Sequence, residues 1–391
     1  MADGHPWQVI AVSLENSAVK DPGVPEFMRT PARRIPPMPR SLWEPDFDRM
    51  MTVLDRKGEP DRVPFFELFH DAQILAGVMD SPIPTDPAAW RQYRIDFMSR
   101  LGYDYVNGYH TFGFRGADAL IADDTAERSR GKRGWQDEHR GPIQDWESFE
   151  KYPWPRIEDA DFSDIEALAP MLPGNMKVTT TLPGGVLENL SRLFGYEPLC
   201  YKLIDEPDLV QAVVDKIGEG ELSVYRVLCD IDWVGAVWLN DDLGFKTQTM
   251  ISPADLRKFV FPWHKRLVEY AHSKGKRVIL HACGNLREVM EDLIEDVGID
   301  AKHSFEDGII PVADFKRQYG DRIAVIGGID VHILASGTVD EVKAYTRKVI
   351  EDAAPGGGWA LGSGNSVANY IPVPNFLAML EAGREVGIYG G

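Results

Sequence analysis

A histidine and a cysteine two residues apart, His281 and Cys283, are the side chains in this sequence best suited to binding a metal. They follow Val278, Ile279 and Leu280, consecutive apolar residues that predict a buried strand. Side chains at positions i and i+2 of a strand point to the same side. Imidazole nitrogen and thiolate sulfur are preferred ligands of zinc. The pair therefore predicts two ligands of a metal site; a buried cysteine beside a hydrogen-bonded histidine is the alternative interpretation.

Carboxylates near this pair supply candidates for a third ligand. Glu306 ends the next predicted strand, and Asp241 and Asp242 follow the preceding one. Three protein ligands with one open position are typical of catalytic zinc. We expect His281, Cys283 and Glu306 to hold zinc. The two aspartates would then bond to His281 or ligate the metal directly; a solvated rim or ion pairs with loop arginines are the alternatives for all three acids.

Eight short apolar segments alternate with stretches of helical period from about residue 46 onward. The predicted strands are 63–69, 103–108, 177–184, 235–242, 277–284, 299–307, 322–330 and 358–365. Predicted helices between them include 252–276, 286–298 and 338–353, the last with a capping box formed by Thr338 and Glu341. Eight strands that alternate with helices predict an α/β fold, a single (β/α)8 TIM barrel.

Residues 1–45 differ in composition from the rest of the chain. The stretch 24–45, VPEFMRTPARRIPPMPRSLWEP, contains six prolines and four arginines, which disfavours helix and sheet alike. We expect an irregular N-terminal arm that wraps around the body or a partner subunit, or is partly disordered. One barrel domain over residues 46–391 would follow it.

Polar side chains are concentrated where the predicted strands end. In a TIM barrel these ends form the mouth of the active site, so the pattern predicts an enzyme. The expected catalytic residues are Asp241, Asp242, His110 and Asp330. The expected substrate-binding residues are Glu67, His70, Asn107, Asn240, Ser363 and Asn365. His70, His110 and His303 are candidate proton donors, although each also suits a hydrogen-bonded loop histidine.

The composition of the 391-residue chain disfavours several classes of function. Lysine and arginine number 42 against 61 acidic residues, and the resulting net charge of -19 opposes binding to nucleic acid or anionic membranes. The three cysteines make a poor disulfide framework, and no secretory signal or long apolar run is present. We therefore expect a soluble, cytoplasmic protein.

Several segments resemble the uroporphyrinogen decarboxylase superfamily, from about residue 50 to the end. They are DDLGFKTQTMISPADLRKFVFP (241–262), RVILHACGNLREVMEDLIEDVGID (277–300), IAVIGGID (323–330) and APGGGWALGSGNSVANYIPVPNFLAMLEAGREVGIYG (354–390). The resemblance implies a TIM barrel, in agreement with the strand count, and a homodimer.

The superfamily includes heme-pathway decarboxylases and corrinoid-linked methyltransferases. Decarboxylases carry an Arg-Gln-Ala-Gly-Arg-Tyr motif and a Leu-Gly-His-Gly segment. This chain has PFFELFHDAQI at 64–74, without arginine, and LGSGN at 361–365. Methyltransferases bind zinc through a His-x-Cys pair, which matches His281 and Cys283, and add a later cysteine where this chain has Ser363. The resemblance thus implies the methyltransferase branch, with Glu306 or an aspartate in place of the missing cysteine.

We therefore expect a zinc-dependent methyltransferase that moves a methyl group between a thiol or methyl ether and the corrinoid (cobalamin) of a separate protein, as in O-demethylation. Asp330 and His332 begin a cobalamin-binding Asp-x-His-x-x-Gly pattern, but Ala335 stands in place of its glycine. The corrinoid is therefore expected on the partner. The alternatives are a metal-independent decarboxylase or lyase acting on a carboxylated substrate, and a corrinoid- or tetrapyrrole-binding accessory protein.

Overall fold

The computed structural model describes residues 40–116, 120–123, 132–135, 137–180 and 184–390. Residues 1–39 of the expected N-terminal arm lie outside this part. The strands are β1 (Tyr105–Gly108), β2 (Leu120–Asp123), β3 (Lys132–Trp135), β4 (Lys177–Thr180), β5 (Val234–Asn240), β6 (Arg277–His281), β7 (Ala301–His303), β8 (Ala324–Ile326) and β9 (Trp359–Ala360).

Seven of these strands form one parallel sheet in the order β1-β4-β5-β6-β7-β8-β9, and β2 pairs with β3 in a separate antiparallel ribbon. Successive parallel strands are neighbours, as they are in a barrel. The register places Asn240 of β5 beside His281 of β6, and His281 beside His303 of β7. The α/β class and a TIM-barrel-like architecture are confirmed. The register also brings the polar ends of β5, β6 and β7 to one level.

The predicted first strand, 63–69, lies between β9 and β1 without joining a continuous ladder. Phe65 forms an isolated parallel bridge with Leu361, next to β9. On the other side, the hydroxyl of Tyr105 in β1 donates a hydrogen bond of 2.5 Å to the carbonyl of Glu67. Pro64 has no N–H group to donate to a ladder. Residues 63–69 thus occupy the place of an eighth strand, held by bridges and side-chain bonds.

Helices cover the outside of the sheet. They are α1 (Arg40–Trp43), α2 (Asp48–Leu54), α3 (Ala72–Met79), α4 (Pro87–Leu101), α5 (Trp146–Lys151), α6 (Ser163–Leu168), α7 (Val186–Phe194), α8 (Tyr196–Asp205), α9 (Pro207–Cys229), α10 (Phe261–Ser273), α11 (Val312–Tyr319), α12 (Val331–Ser336), α13 (Val339–Ala353) and α14 (Val373–Val386). The predicted capping box is confirmed at α13, where the Thr338 side chain accepts from the Glu341 N–H and the Glu341 carboxylate accepts from the Thr338 N–H.

The helix predicted over 252–276 is interrupted, which corrects that expectation. A short turn, Pro253–Asp255, leads into a π-helical segment, Leu256–Val260, before α10 begins. Pro262 is the second residue of α10. Proline has no N–H to donate to the residue four positions earlier, and its ring crowds that carbonyl. The regular bonding pattern cannot pass through Pro262, and the π turn absorbs the mismatch.

A cluster of charged side chains, buried except for Asp61, lies at the amino ends of the first strands. Arg62 and Asp104 precede residues 63–69 and β1, and both side chains are fully buried. Nη2 of Arg62 donates to both Asp104 oxygens, at 2.9 and 3.0 Å. Arg49 adds a bond of 2.9 Å to Asp104 and a two-pronged contact with Asp61. These four residues, the basal ion cluster, join the start of the barrel to α2.

Candidate metal centre

Three possible metal ligands come together within the described part of the chain: Asp242, His281 and Cys283. One donor atom from each lies within 4.8 Å of the other two. His281 is the last residue of β6, Cys283 follows two positions later, and Asp242 lies just beyond β5. The parallel register between β5 and β6 therefore brings the carboxylate to the imidazole and the thiol. We refer to these three residues as the donor group.

The contacts inside the donor group fix its geometry. Nε2 of His281 is 3.6 Å from Oδ1 of Asp242 and 3.7 Å from Sγ of Cys283. The backbone N–H of Cys283 donates to Oδ1 of Asp242 at 2.8 Å. Nδ2 of Asn365 donates to Sγ of Cys283 at 3.2 Å. The two strand ends are thus tied together, and Asn365 is placed beside the sulfur.

Burial determines the protonation of the His281 imidazole and the Cys283 thiol. It lowers the pKa of His281 to about 4, against the opposing effect of Asp242, so the imidazole is neutral at pH 7. Burial also raises the pKa of Cys283 to about 12, with a further contribution from Asp242, so the free thiol keeps its proton. Neutral imidazole is the form that ligates metals, and a metal would displace the thiol proton.

The donor set suits a divalent transition metal. Nitrogen, sulfur and carboxylate oxygen are the ligand types of zinc, and three of them leave one position open. No lysine or arginine among the described residues forms a salt bridge with Asp242. The chemistry of these residues therefore fits the zinc site expected from the sequence, with Asp242 as the carboxylate.

Two glycines press the loops after β5 and β6 against each other. Gly284 has a positive φ of 86°, and a Cβ atom added there would lie 2.1 Å from the carbonyl oxygen of Gly244. The N–H of Asn285 donates to the carbonyl of Phe245 at 2.8 Å. Only glycine permits this backbone contact. The contact sits directly beside Asp242 and Cys283 in the chain.

Lys302 is a buried cation close to the donor group that the sequence analysis missed. Its Nζ donates to the carbonyls of Ser304 and Ala282, at 2.5 and 3.4 Å. Burial lowers its pKa to about 8. The only signal in the sequence is a lysine inside the predicted strand 299–307. Its bonds connect the backbone of β7 to that beside Cys283.

Glu188 was also missed, although it contacts the same loop. Its carboxylate accepts the N–H of Asp242 at 3.1 Å. Burial, with Asp241 and Asp242 nearby, raises the pKa of Glu188 to about 8. Glu188 lies in the first turn of α7, a helix that begins directly after a glycine pair. A glutamate at such a position is only a weak sign of a functional residue.

Asp241 and Asp242 are adjacent in sequence but have different partners. The fully buried carboxylate of Asp241 accepts the N–H groups of Leu187 and Glu188, at 2.9 and 2.8 Å, at the start of α7. It also contacts Nε2 of His264 at 2.8 Å. Such a carboxylate stabilises a helix N-terminus. Asp241 therefore caps the N-terminus of α7 and lies outside the donor group.

Glu306 is separate from the donor group. Its side chain is exposed, and it lines a small cleft together with Lys302 and Ser304. Its expected role as the third ligand stays a prediction, while the convergence of ligand atoms favours Asp242.

Glu67 and Ser363 bond to each other. The hydroxyl and the N–H of Ser363 donate to the two oxygens of Glu67, at 2.5 and 2.7 Å. Both residues are fully buried, and burial raises the pKa of Glu67 to about 8. This pair connects residues 63–69 to the segment after β9, where the barrel has only bridges. The Ser363 hydroxyl is occupied by Glu67 rather than directed at the donor group.

The remaining predicted residues lie at or near strand ends, and their contacts bind the fold together. Asn107 links Thr179 of β4 to the carbonyl of Leu68. Asp330 caps α12 through the N–H of His332. The ring of His110 stacks on Phe162. These contacts leave their proposed roles in catalysis and substrate binding as predictions.

Two further predicted residues have contrasting environments. His70 packs edge-on against Phe97 and Phe376 of α4 and α14, and burial lowers its pKa to about 3. Oδ1 of Asn240, at the level of His281, is buried without a hydrogen-bond partner among the described residues. Asn240 therefore holds a buried acceptor without a partner among the described residues, whereas the ring of His70 packs among aromatic side chains.

No helix in the described ranges is both long and apolar enough to cross a membrane.

The chain resembles a solved methyltransferase from Methanosarcina mazei with a TM-score of 0.66 and 17% identity, over 86% of this chain and 97% of that one. At this identity the likeness concerns the fold.

Curated relatives include a uroporphyrinogen decarboxylase of Thioalkalivibrio sulfidiphilus, 23% identical over 54% of this chain and 56% of the relative. Another is a uroporphyrinogen decarboxylase of Gloeobacter violaceus, 26% identical over 39% of this chain and 42% of the relative. The chain spans about half the length of the curated relatives it matches. The family model for uroporphyrinogen decarboxylase (URO-D) matches residues 164–386, which contain every member of the donor group. The family model thus matches more than half of the sequence, and the barrel-like sheet is consistent with it. The chain belongs to the uroporphyrinogen decarboxylase family.

Proposed function

We propose that this protein is a zinc-dependent methyltransferase that moves a methyl group between a small thiol or methyl ether and the corrinoid of a separate protein. The observation that carries the proposal is the convergence of Asp242, His281 and Cys283. The fold shared with a methyltransferase gives further support. The proposal also includes a cytoplasmic location.

Asp242, His281 and Cys283 would hold the metal, which as a Lewis acid would lower the pKa of a substrate thiol or polarise an ether oxygen. Asn365 directs an N–H at the sulfur of Cys283, so it stabilises negative charge there. The buried surroundings of His281 limit the water that reaches it.

A second candidate function is a metal-independent decarboxylase or lyase acting on a carboxylated substrate. The names of the curated relatives favour it. However, residues 64–74 contain no arginine that would bind a substrate with several carboxylates. The two candidates differ in whether the chemistry needs the donor group.

Metal analysis of purified protein tests the proposal. We expect about one zinc per chain in the wild type and almost none in Cys283→Ala or Asp242→Ala. Cys200→Ala is the matched control, because Cys200 is a half-buried free cysteine in α8. Glu306→Ala separates the two candidate third ligands: retained zinc supports Asp242, whereas lost zinc supports Glu306.

Activity is measured with free methylcobalamin and a set of thiols, by the change in cobalamin absorbance. The wild type and Cys200→Ala should turn over, and Cys283→Ala should not. A zinc-free wild type, together with a Cys283→Ala variant that fully retains activity on a carboxylated substrate, would support the lyase instead.

A further inference from the structure

We infer that His303 is the positioning residue of the donor group: it fixes the ring orientation and the proton position of His281. The inference rests on the proposed function, since it concerns how His281 presents a nitrogen to a metal. It is drawn from the buried contact between the two imidazoles and from the surroundings of His303.

The two histidines face each other across β6 and β7. They are paired in the strand register, their ring centroids are 5.0 Å apart, and their Nδ1 atoms are separated by 2.8 Å. Nε2 of His281 is on the opposite side of its ring, toward Asp242 and Cys283. One nitrogen of His281 thus faces His303, and the other faces the donor atoms.

A count of protons gives the direction of the bond. Both imidazoles are buried, and their Nδ1 atoms lie 2.8 Å apart. Two Nδ1 atoms at hydrogen-bond distance share one proton. A metal on Nε2 of His281 requires that proton to be on Nδ1 of His281, which then donates to Nδ1 of His303. The proton of His303 must therefore be on its own Nε2.

The surroundings of His303 offer no better explanation for a polar residue at this position. The side chain is fully buried, and the ring of Trp238 packs against it at 5.5 Å. Its Nε2 has no hydrogen-bond partner of standard geometry among the described residues. The backbone of Ser363 lies on the Nε2 side of the ring. Burying a polar ring with few hydrogen bonds costs folding free energy, so the position of His303 is best explained by the bond it does make. That bond is to His281.

Hydrogen-bonded partners of ligating histidines hold the ring orientation, and their loss typically costs about 10- to 100-fold in metal affinity. We expect His303→Leu to lose zinc affinity by about that factor. His303→Asn should recover most of it, because an asparagine oxygen can occupy the place of Nδ1 and accept the same bond. His272→Leu is the matched control, since it removes a histidine of α10 that pairs with Asp300 away from the donor group.

The experiment measures zinc affinity by competition with a chromophoric chelator for the wild type and the three variants, with thermal unfolding of each to monitor folding. A weakened His303→Leu variant that His303→Asn restores supports the inference. If the wild type binds zinc and His303→Leu binds it equally well, the inference is wrong and the proposed function stands. If the wild type binds no zinc, both are wrong.

Nitrogen-15 NMR of histidine-labelled, zinc-loaded wild type supplies a readout that needs no variant to fold. The expected spectrum has His281 protonated at Nδ1 and His303 protonated at Nε2. A structural role alone would not require this arrangement. A proton on Nδ1 of His303 would overturn the inference.

Discussion

The two ends of the barrel bury polar side chains in opposite ways. At the amino end, the basal ion cluster pairs the buried carboxylate of Asp104 with Arg49 and Arg62. At the carboxyl end, the donor group brings oxygen, nitrogen and sulfur within 4.8 Å of each other, and among the described residues no arginine or lysine forms a salt bridge with its carboxylate. Opposite charges in contact compensate each other, whereas converging oxygen, nitrogen and sulfur atoms are a set of groups that suits a metal cation. The first end is held together by paired charges, whereas the second gathers the ligands of the proposed metal.

The largest expected effect is at the amino end. Asp104→Ala leaves two buried arginine side chains without their carboxylate, and we expect a loss of about 3–5 kcal/mol in the free energy of unfolding. Urea denaturation measures it. Glu147→Ala is the control, since it removes an exposed pair with Lys151 and should cost less than about 0.5 kcal/mol. Similar losses in both variants would contradict the role assigned to the cluster.

Next in size is the contrast between the adjacent aspartates. Asp242→Ala should weaken zinc binding by about 100-fold or more, at or beyond the upper end of what an outer-shell loss costs. It should change stability by only about 1 kcal/mol, because one hydrogen bond is lost.

Asp241→Ala should do the reverse, because it removes the bonds to α7 and His264 while the donor group remains. Zinc titration and thermal unfolding of both variants provide the comparison. Loss of zinc binding in a stably folded Asp241→Ala variant would contradict the assignment of the two residues.

The Glu67–Ser363 pair gives a smaller, pH-dependent effect. The folded-state pKa of Glu67 is about 8 against an ordinary 4.5, so the folded protein holds a proton that the unfolded chain releases. The stability contributed is therefore present below about pH 4.5 and is lost as the pH rises toward 8. Between about pH 6 and pH 7.5 the wild type should lose about 2 kcal/mol more than Glu67→Gln.

Unfolding of both proteins across that pH range isolates Glu67 from other titrating groups, because glutamine keeps the size and polarity of the side chain without its charge. Parallel curves for the wild type and Glu67→Gln would show that Glu67 is already ionised in the folded protein.

The smallest expected effect is that of Ser363→Ala. The variant loses the hydroxyl bond to Glu67 but keeps the backbone N–H bond, so a loss of about 1 kcal/mol in stability is expected. Zinc affinity should not change, because Ser363 bonds to Glu67 and lies outside the donor group. A tenfold loss of affinity would instead make Ser363 a ligand.

The sequence was informative where chemistry follows from local order. The His-x-Cys pair at the end of an apolar run was sufficient to place His281 and Cys283 together, because strand periodicity is a local property. The alternation of apolar segments and helices gave the seven strands of the parallel sheet for the same reason. The antiparallel ribbon of β2 and β3 was not predicted, since neither strand has an alternating apolar pattern.

Other features depend on contacts between distant segments. Whether Asp242 or Glu306 approaches His281 depends on the paths of two loops, and spacing along the chain does not determine them. The bond between Glu67 and Ser363 joins residues 296 positions apart. The partners that distinguish Asp241 from Asp242 are on α7, more than 50 residues earlier.

The backbone contact between Gly244 and Gly284 has a consequence for ion selection. Because main chain presses on main chain beside Asp242 and Cys283, the backbone positions of these two residues are held close together, and the N–H of Cys283 donates to the Asp242 carboxylate. Zinc needs oxygen ligands at about 2.0–2.2 Å, whereas calcium needs more of them at about 2.3–2.6 Å. In the proposed zinc site, the close contact of the two loops would therefore favour the shorter bonds of zinc, and a methyl group added at Gly284 would push the loops apart.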